Sequence, residues 1–110
     1  MNKLRIVLVD DHAILRAGLK LLIDAQADME VVGQAENGRE AVRLAKELQP
    51  DVIVMDISMS ELGGAEATEL IKHEHTQVCV LALTRHADQG HFRQMMHAGA
   101  AGLYWLLDSA

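Results

Sequence analysis

Three aspartates stand where short apolar runs stop. Leu4-Arg5-Ile6-Val7-Leu8-Val9 closes on Asp10-Asp11, and Asp51-Val52-Ile53-Val54-Met55 closes on Asp56. A further run, Val78 to Leu83, ends at Thr84. Oxygen ligands in a small cluster suit a hard cation, and Mg²⁺ normally keeps several waters beside one or two carboxylates. Holding two carboxylates ~4 Å apart costs about 4 kcal/mol at an effective dielectric of 20. No structural need accounts for that cost. Taken singly, an acid after a strand is a turn or cap residue, and Asp11 could cap the helix that follows it. Taken together, the three acids point to a metal–carboxylate site, provided the fold brings them to one place. The Thr84 hydroxyl can face the same crevice, and backbone N–H groups after Asp56 and Thr84 can form an anion-binding hollow.

The elements between these residues supply that condition. After the first β-branched-rich run the spacing turns helical from Ala13 to about Ala25, with Ile14, Gly18, Leu21, Leu22 and Ala25 on one stripe. Met29 to Ala35 is a second strand, broken by the turn dipeptide Asn37-Gly38. Ala41, Leu44, Ala45 and Leu48 trace a second helix that must end before Pro50. The third strand leads through a loop from Ser58 to Gly64, eased by Gly63-Gly64, into a helix over Ala65 to His73. Val78 to Leu83 is a fourth strand. Phe92, Met95, Met96 and Gly99 mark a fourth helix, and Leu103 to Leu107 a fifth strand.

Strands alternating with single helices imply right-handed crossovers onto a parallel sheet covered on both faces. The expected architecture is α/β and flavodoxin-like, five strands in the order 2-1-3-4-5, with helices on both faces and the fifth helix missing. Ligands in such sheets bind beyond the carboxyl ends of the strands at the switch point. Here that is between strands one and three, which carry Asp10, Asp11 and Asp56.

The 110 residues make one domain, 1–110, with half its residues apolar and one proline. Ten basic against sixteen acidic residues give a net charge of −6 without any basic block. That argues against direct nucleic-acid contact. No run approaches the ~20 apolar residues of a membrane span, and the N-terminus lacks a signal-peptide pattern, so a soluble, cytoplasmic protein is expected. Cys79 reads as a small buried hydrophobe, the six histidines as solvated, and Met95-Met96 as core filler. Dinucleotide and P-loop glycine motifs are absent, as is zinc-type Cys/His spacing.

With these residues in place, Asp10-Asp11, Met55-Asp56-Ile57-Ser58-Met59, Gly63-Gly64, Leu83-Thr84 and Ala98-Gly99-Ala100-Ala101-Gly102 together resemble the CheY-like receiver domain of bacterial two-component response regulators. Val9-Asp10-Asp11-His12 and Arg85-His86-Ala87-Asp88 are most similar to receivers of NarL/LuxR-type transcription factors. The resemblance implies that Asp56 takes a phosphoryl group from a phosphohistidine on a sensor histidine kinase. It implies that Asp11, Asp56 and the Ser58 carbonyl hold Mg²⁺, with Asp10 acting through water. Thr84 and Arg85 would face the phosphoryl group, and Tyr104 would match the aromatic that changes rotamer on activation. The output would be a transcriptional domain that meets DNA outside this segment.

The chain departs from the family's pattern at Leu107, where receivers carry a lysine, and no register restores one. Ser60 replaces the usual proline and Gly63 a common Asp or Asn. The missing last helix leaves apolar surface near strands one, three and five, from which a homodimer is expected. An alternative reading follows from these departures: a receiver-derived interaction module that dimerises or swaps elements. An aspartate-nucleophile phosphatase would want an acid at Ser58, and an FMN-binding flavodoxin a hydroxyl- and glycine-rich loop at Asp10-Asp11-His12.

Overall fold

The computed structural model describes residues 3–56, 63–84, 93, 96–100 and 102–105, with Thr84 and 102–105 described by backbone alone. Three helices and the strands follow the alternation expected from the sequence: β1 Leu4–Val9, α1 Ala13–Asp24, β2 Met29–Ala35, α2 Gly38–Leu48, β3 Val52–Asp56, α3 Gly64–Glu74 and β4 Cys79–Thr84. The strands are parallel in the order β2-β1-β3-β4. The backbone of Gly102–Trp105 (β5) pairs in parallel with β4, Leu83 opposite Tyr104 and Thr84 opposite Trp105. Leu106 and Leu107, expected to continue this segment, lie outside the described residues, as do Ser58, Arg85, Phe92 and Met95.

Alternation along the strands divides the core in two. Val7 and Val9 of β1, Ile53 and Met55 of β3 and Val80 and Ala82 of β4 point to one face. There they meet Ala41, Leu44 and Ala45 of α2 and Ala67 and Ile71 of α3. α2 is held at both ends. Asn37 caps it by accepting from the Glu40 N–H at 2.9 Å, so the Asn37-Gly38 pair is a helix start as well as a turn. At the other end Gln49 turns left-handed (φ 46°) before Pro50. β2 carries an irregularity that leaves Val32 between the pairs Ile6–Val31 and Val7–Gly33. The next residue, Gly33, packs closely under α2: a Cβ there would lie 2.8 Å from Leu48 Cδ1, so that side chain would have to shift.

Arg5 ties β1 to the end of α2. Its Nη1 donates to the carbonyls of Leu48 at 2.7 Å and Gln49 at 3.0 Å, where the helix dipole favours a cation. Arg5→Leu keeps the stem but leaves those carbonyls to water. A stability loss of about 1–2 kcal/mol is expected, read as a lower urea midpoint at unchanged slope.

The other face of the sheet departs from expectation. α1 lies against β1 and β2 through Leu15, Leu19 and Ile23, all half-buried, and has no fully buried residue. The stripe read from the sequence points to solvent instead: Ile14 is 91%, Leu21 74% and Leu22 68% exposed. Two apolar stripes share this helix, and sequence period alone could not say which one meets the sheet. Asp24 at its end accepts from Lys20 Nζ at 2.6 Å and the Val31 N–H at 2.8 Å. The lysine first, and then the amide, hold this carboxyl below the usual carboxylate range.

Two readings of single residues are corrected. Cys79 is half-buried, because alternation along β4 turns it, like the half-buried Leu81, to the face opposite Val80 and Ala82. Met96 is 40% exposed and so does not fill the core. No helix among the described residues is long and apolar enough to cross a membrane.

Candidate functional site

The register of the central strands brings the acids together. Val9 pairs with Met55 across β1 and β3, so Asp10 and Asp56, one residue further along each, stand level at the carboxyl ends. Both are buried, each 2% exposed. Asp56 in turn pairs with Leu83 of β4, which places the Thr84 backbone one step beyond it on the neighbouring strand. Asp11 joins from the turn into α1, half-exposed. The carboxylates of Asp10, Asp11 and Asp56 and the imidazole of His12 each offer one ligand atom, all within 4.8 Å of one another.

The turn after β1 is built by Asp10 rather than by Asp11. Asp10 Oδ1 accepts from the His12 N–H at 2.7 Å, and His12, with no side-chain cap, opens α1. The capping role considered for Asp11 is therefore not taken up; its carboxylate instead meets His12 Nδ1 at 2.8 Å. The same nitrogen lies 3.2 Å from Asp10 Oδ1. Arg16, one turn into α1, donates from Nη1 to the Asp10 carbonyl at 2.5 Å and from Nε to Gln34 at 3.0 Å. It fixes the backbone of Asp10 and brings a cation near the acids.

His12 and Arg16 are the residues that sequence reasoning missed. His12 is 48% exposed at its side chain, but it is engaged with two carboxylates, which corrects the solvated reading for this histidine. Its direct succession to Asp10-Asp11 was the available signal. Arg16 had none, since its role depends on the path of the backbone.

The fit of a divalent cation can be judged from these atoms. Asp10 Oδ2 is buried with no hydrogen-bond partner, and an orphaned carboxylate oxygen is costly unless an ion meets it. At 4.8 Å and an effective dielectric of 20, two carboxylates repel by about 3.5 kcal/mol. The donor set, with three carboxylates, fits a cation that prefers oxygen.

Residues 6–104 match the response regulator receiver domain family. This chain belongs to that family. It is a receiver domain of a two-component response regulator, and the matches give the interaction-module reading no advantage. It is 47% identical over 88 residues to the transcriptional regulatory protein YdfI of Bacillus subtilis (strain 168), covering 80% of this chain and 40% of that one. It is 43% identical over 97 residues to the transcriptional regulatory protein LiaR of the same organism, covering 88% and 46%. The receiver thus spans less than half the length of these two relatives. Among solved structures, the signal receiver domain of the putative response regulator NarL from Mycobacterium tuberculosis superposes with a TM-score of 0.91 at 31% identity, over all of this chain and 88% of that one.

Proposed function

We propose that this receiver takes a phosphoryl group from a phosphohistidine of a sensor histidine kinase onto Asp56, with Mg²⁺, and so controls a transcriptional output. The gathering of Asp10, Asp11 and Asp56 at the ends of β1 and β3 carries the reading. Asp11, Asp56 and the Ser58 carbonyl would hold the ion, and Asp10 would act through water. Bound Mg²⁺ supplies neutralisation of the charge that develops on the phosphoryl oxygens. An Asp56 oxygen forms the new P–O bond as the donor's P–N bond breaks, leaving an acyl phosphate and a free imidazole. Asp56 ends β3 level with Asp10 on β1, so positioning would be supplied before the donor arrives. In this proposal Thr84, Arg85 and Tyr104 respond to the phosphoryl group, shifting a population between two packings.

Residues 1–110 act on this reading as the receiver domain of the regulator, in the cytoplasm and as a homodimer, with DNA met by a separate output domain. Residues 101–110 contain no lysine, and Leu107 stands at the usual lysine position. The ion is then the main positive charge facing the phosphoryl group, so uptake should depend strictly on it. The test is intact mass after incubation with acetyl phosphate. The chain should gain one phosphoryl group with Mg²⁺ and none in EDTA, and Asp56→Asn should gain none in either. A gain on Asp56→Asn, or no gain on the parent chain with Mg²⁺, contradicts the reading.

A further inference from the structure

The histidine beside the acids changes which ions this pocket can take. Three carboxylates alone make a hard, oxygen-only site. His12 adds an imidazole nitrogen to the same cluster, with Nδ1 2.8 Å from Asp11 Oδ1 and 3.2 Å from Asp10 Oδ1. Neighbouring ligands in a tetrahedral shell with bonds of 2.0–2.1 Å are about 3.3 Å apart; the imidazole is already about that close to two of the acids, and the four ligand atoms, within 4.8 Å of one another, would draw in around an ion. The buried, partnerless Asp10 Oδ2 independently marks a place where a cation would satisfy the protein.

We propose that His12, with Asp10, Asp11 and Asp56, forms a second binding mode of this pocket, selective for a nitrogen-seeking divalent ion of the Zn²⁺ class. The proposal rests on the Mg²⁺ reading above for the location of the pocket and goes beyond it in ligand and consequence. Imidazole raises affinity for late first-row ions far more than for Mg²⁺. An imidazole nitrogen and carboxylate oxygens are both ligand types that Zn²⁺ takes. An ion held through His12 takes the place of Mg²⁺, and the phosphoryl uptake that depends on Mg²⁺ is held back. Zn²⁺-class ions thus compete with Mg²⁺ and oppose the signal.

The test uses the metal-stripped chain, titrated separately with Zn²⁺ and with Mg²⁺ by calorimetry, and compares the ratio of the two affinities. His12→Ala and His12→Asn should lower the Zn²⁺-to-Mg²⁺ ratio at least about tenfold, and Asp10→Asn should weaken Zn²⁺ binding as well. In the parent chain, ring-proton NMR should show His12 responding at one equivalent of Zn²⁺, ahead of His73, His75 and His97. Acetyl phosphate uptake in Mg²⁺ should fall as that equivalent is added. If the parent binds Mg²⁺ but the ratio is unchanged in both His12 variants, this inference fails while the Mg²⁺ reading stands. Zn²⁺ reaching the other histidines first also overturns it. If the parent binds neither ion, both readings fail.

Discussion

Asp10→Asn will melt at a higher temperature than the parent chain in EDTA and will lose its response to Mg²⁺. The substitution keeps Oδ1 as the acceptor for the His12 N–H, 2.7 Å away, so the turn into α1 survives. What it removes is one of two negative charges that are each 2% exposed and stand level on adjacent strands. The repulsion of about 3.5 kcal/mol at an effective dielectric of 20 is partly offset by His12, so a net gain of about 1–2 kcal/mol is expected in the absence of metal. For a domain of this size that is roughly 5–10 °C. With Mg²⁺ the order should reverse. An ion at a hundred times its dissociation constant adds about 2.7 kcal/mol to a chain that binds it and nothing to one that does not. Calorimetric melts of both chains in EDTA and in Mg²⁺ give the four values needed. A lower melting temperature for Asp10→Asn in EDTA would show that the carboxylate holds the fold together rather than straining it.

Met55→Ala should do the opposite. Met55 is fully buried one residue before Asp56, in the cluster formed with α2 and α3. Truncating it removes most of a buried side chain and leaves a cavity, at a cost of about 2–5 kcal/mol. That is a large part of the 5–15 kcal/mol that holds a typical domain, and urea unfolding should show it as a much lower midpoint. The acids and the backbone that carries them remain, so the folded fraction should still gain stability from Mg²⁺. One substitution strengthens the fold and abolishes the metal response; the other weakens the fold and spares it. Loss of the Mg²⁺ response in a folded Met55→Ala chain would mean that the site depends on core packing rather than on strand register.

Much of this arrangement was legible in the sequence because two periods alternate so clearly. The β-branched runs ending in Asp10 and Asp56 placed two strand ends, and topology placed those ends side by side. α2 was legible in the same way, from Ala41, Leu44 and Ala45 to Pro50. α1 was not. Ile14, Leu21 and Leu22 form a stripe as regular as Leu15, Leu19 and Ile23, and the choice between them is made by the sheet, not by the helix. The role of His12 was hidden for a related reason. A histidine's meaning comes from what lies within about 3 Å of its ring, and composition counted it with five others. Arg5 and Arg16 act through backbone carbonyls, which no residue type reveals.

In the proposed function, the ends of β1 and β3 make one divalent-cation site from Asp10, Asp11 and Asp56. Amide NMR of the metal-stripped chain during a Mg²⁺ titration tests it most directly. Saturable shifts are expected at millimolar Mg²⁺, centred on the amides of Asp10, Asp11, His12 and Asp56 and absent in Asp10→Asn. Shifts spread evenly over the acidic surface, or a spectrum that Mg²⁺ leaves unchanged, would contradict it.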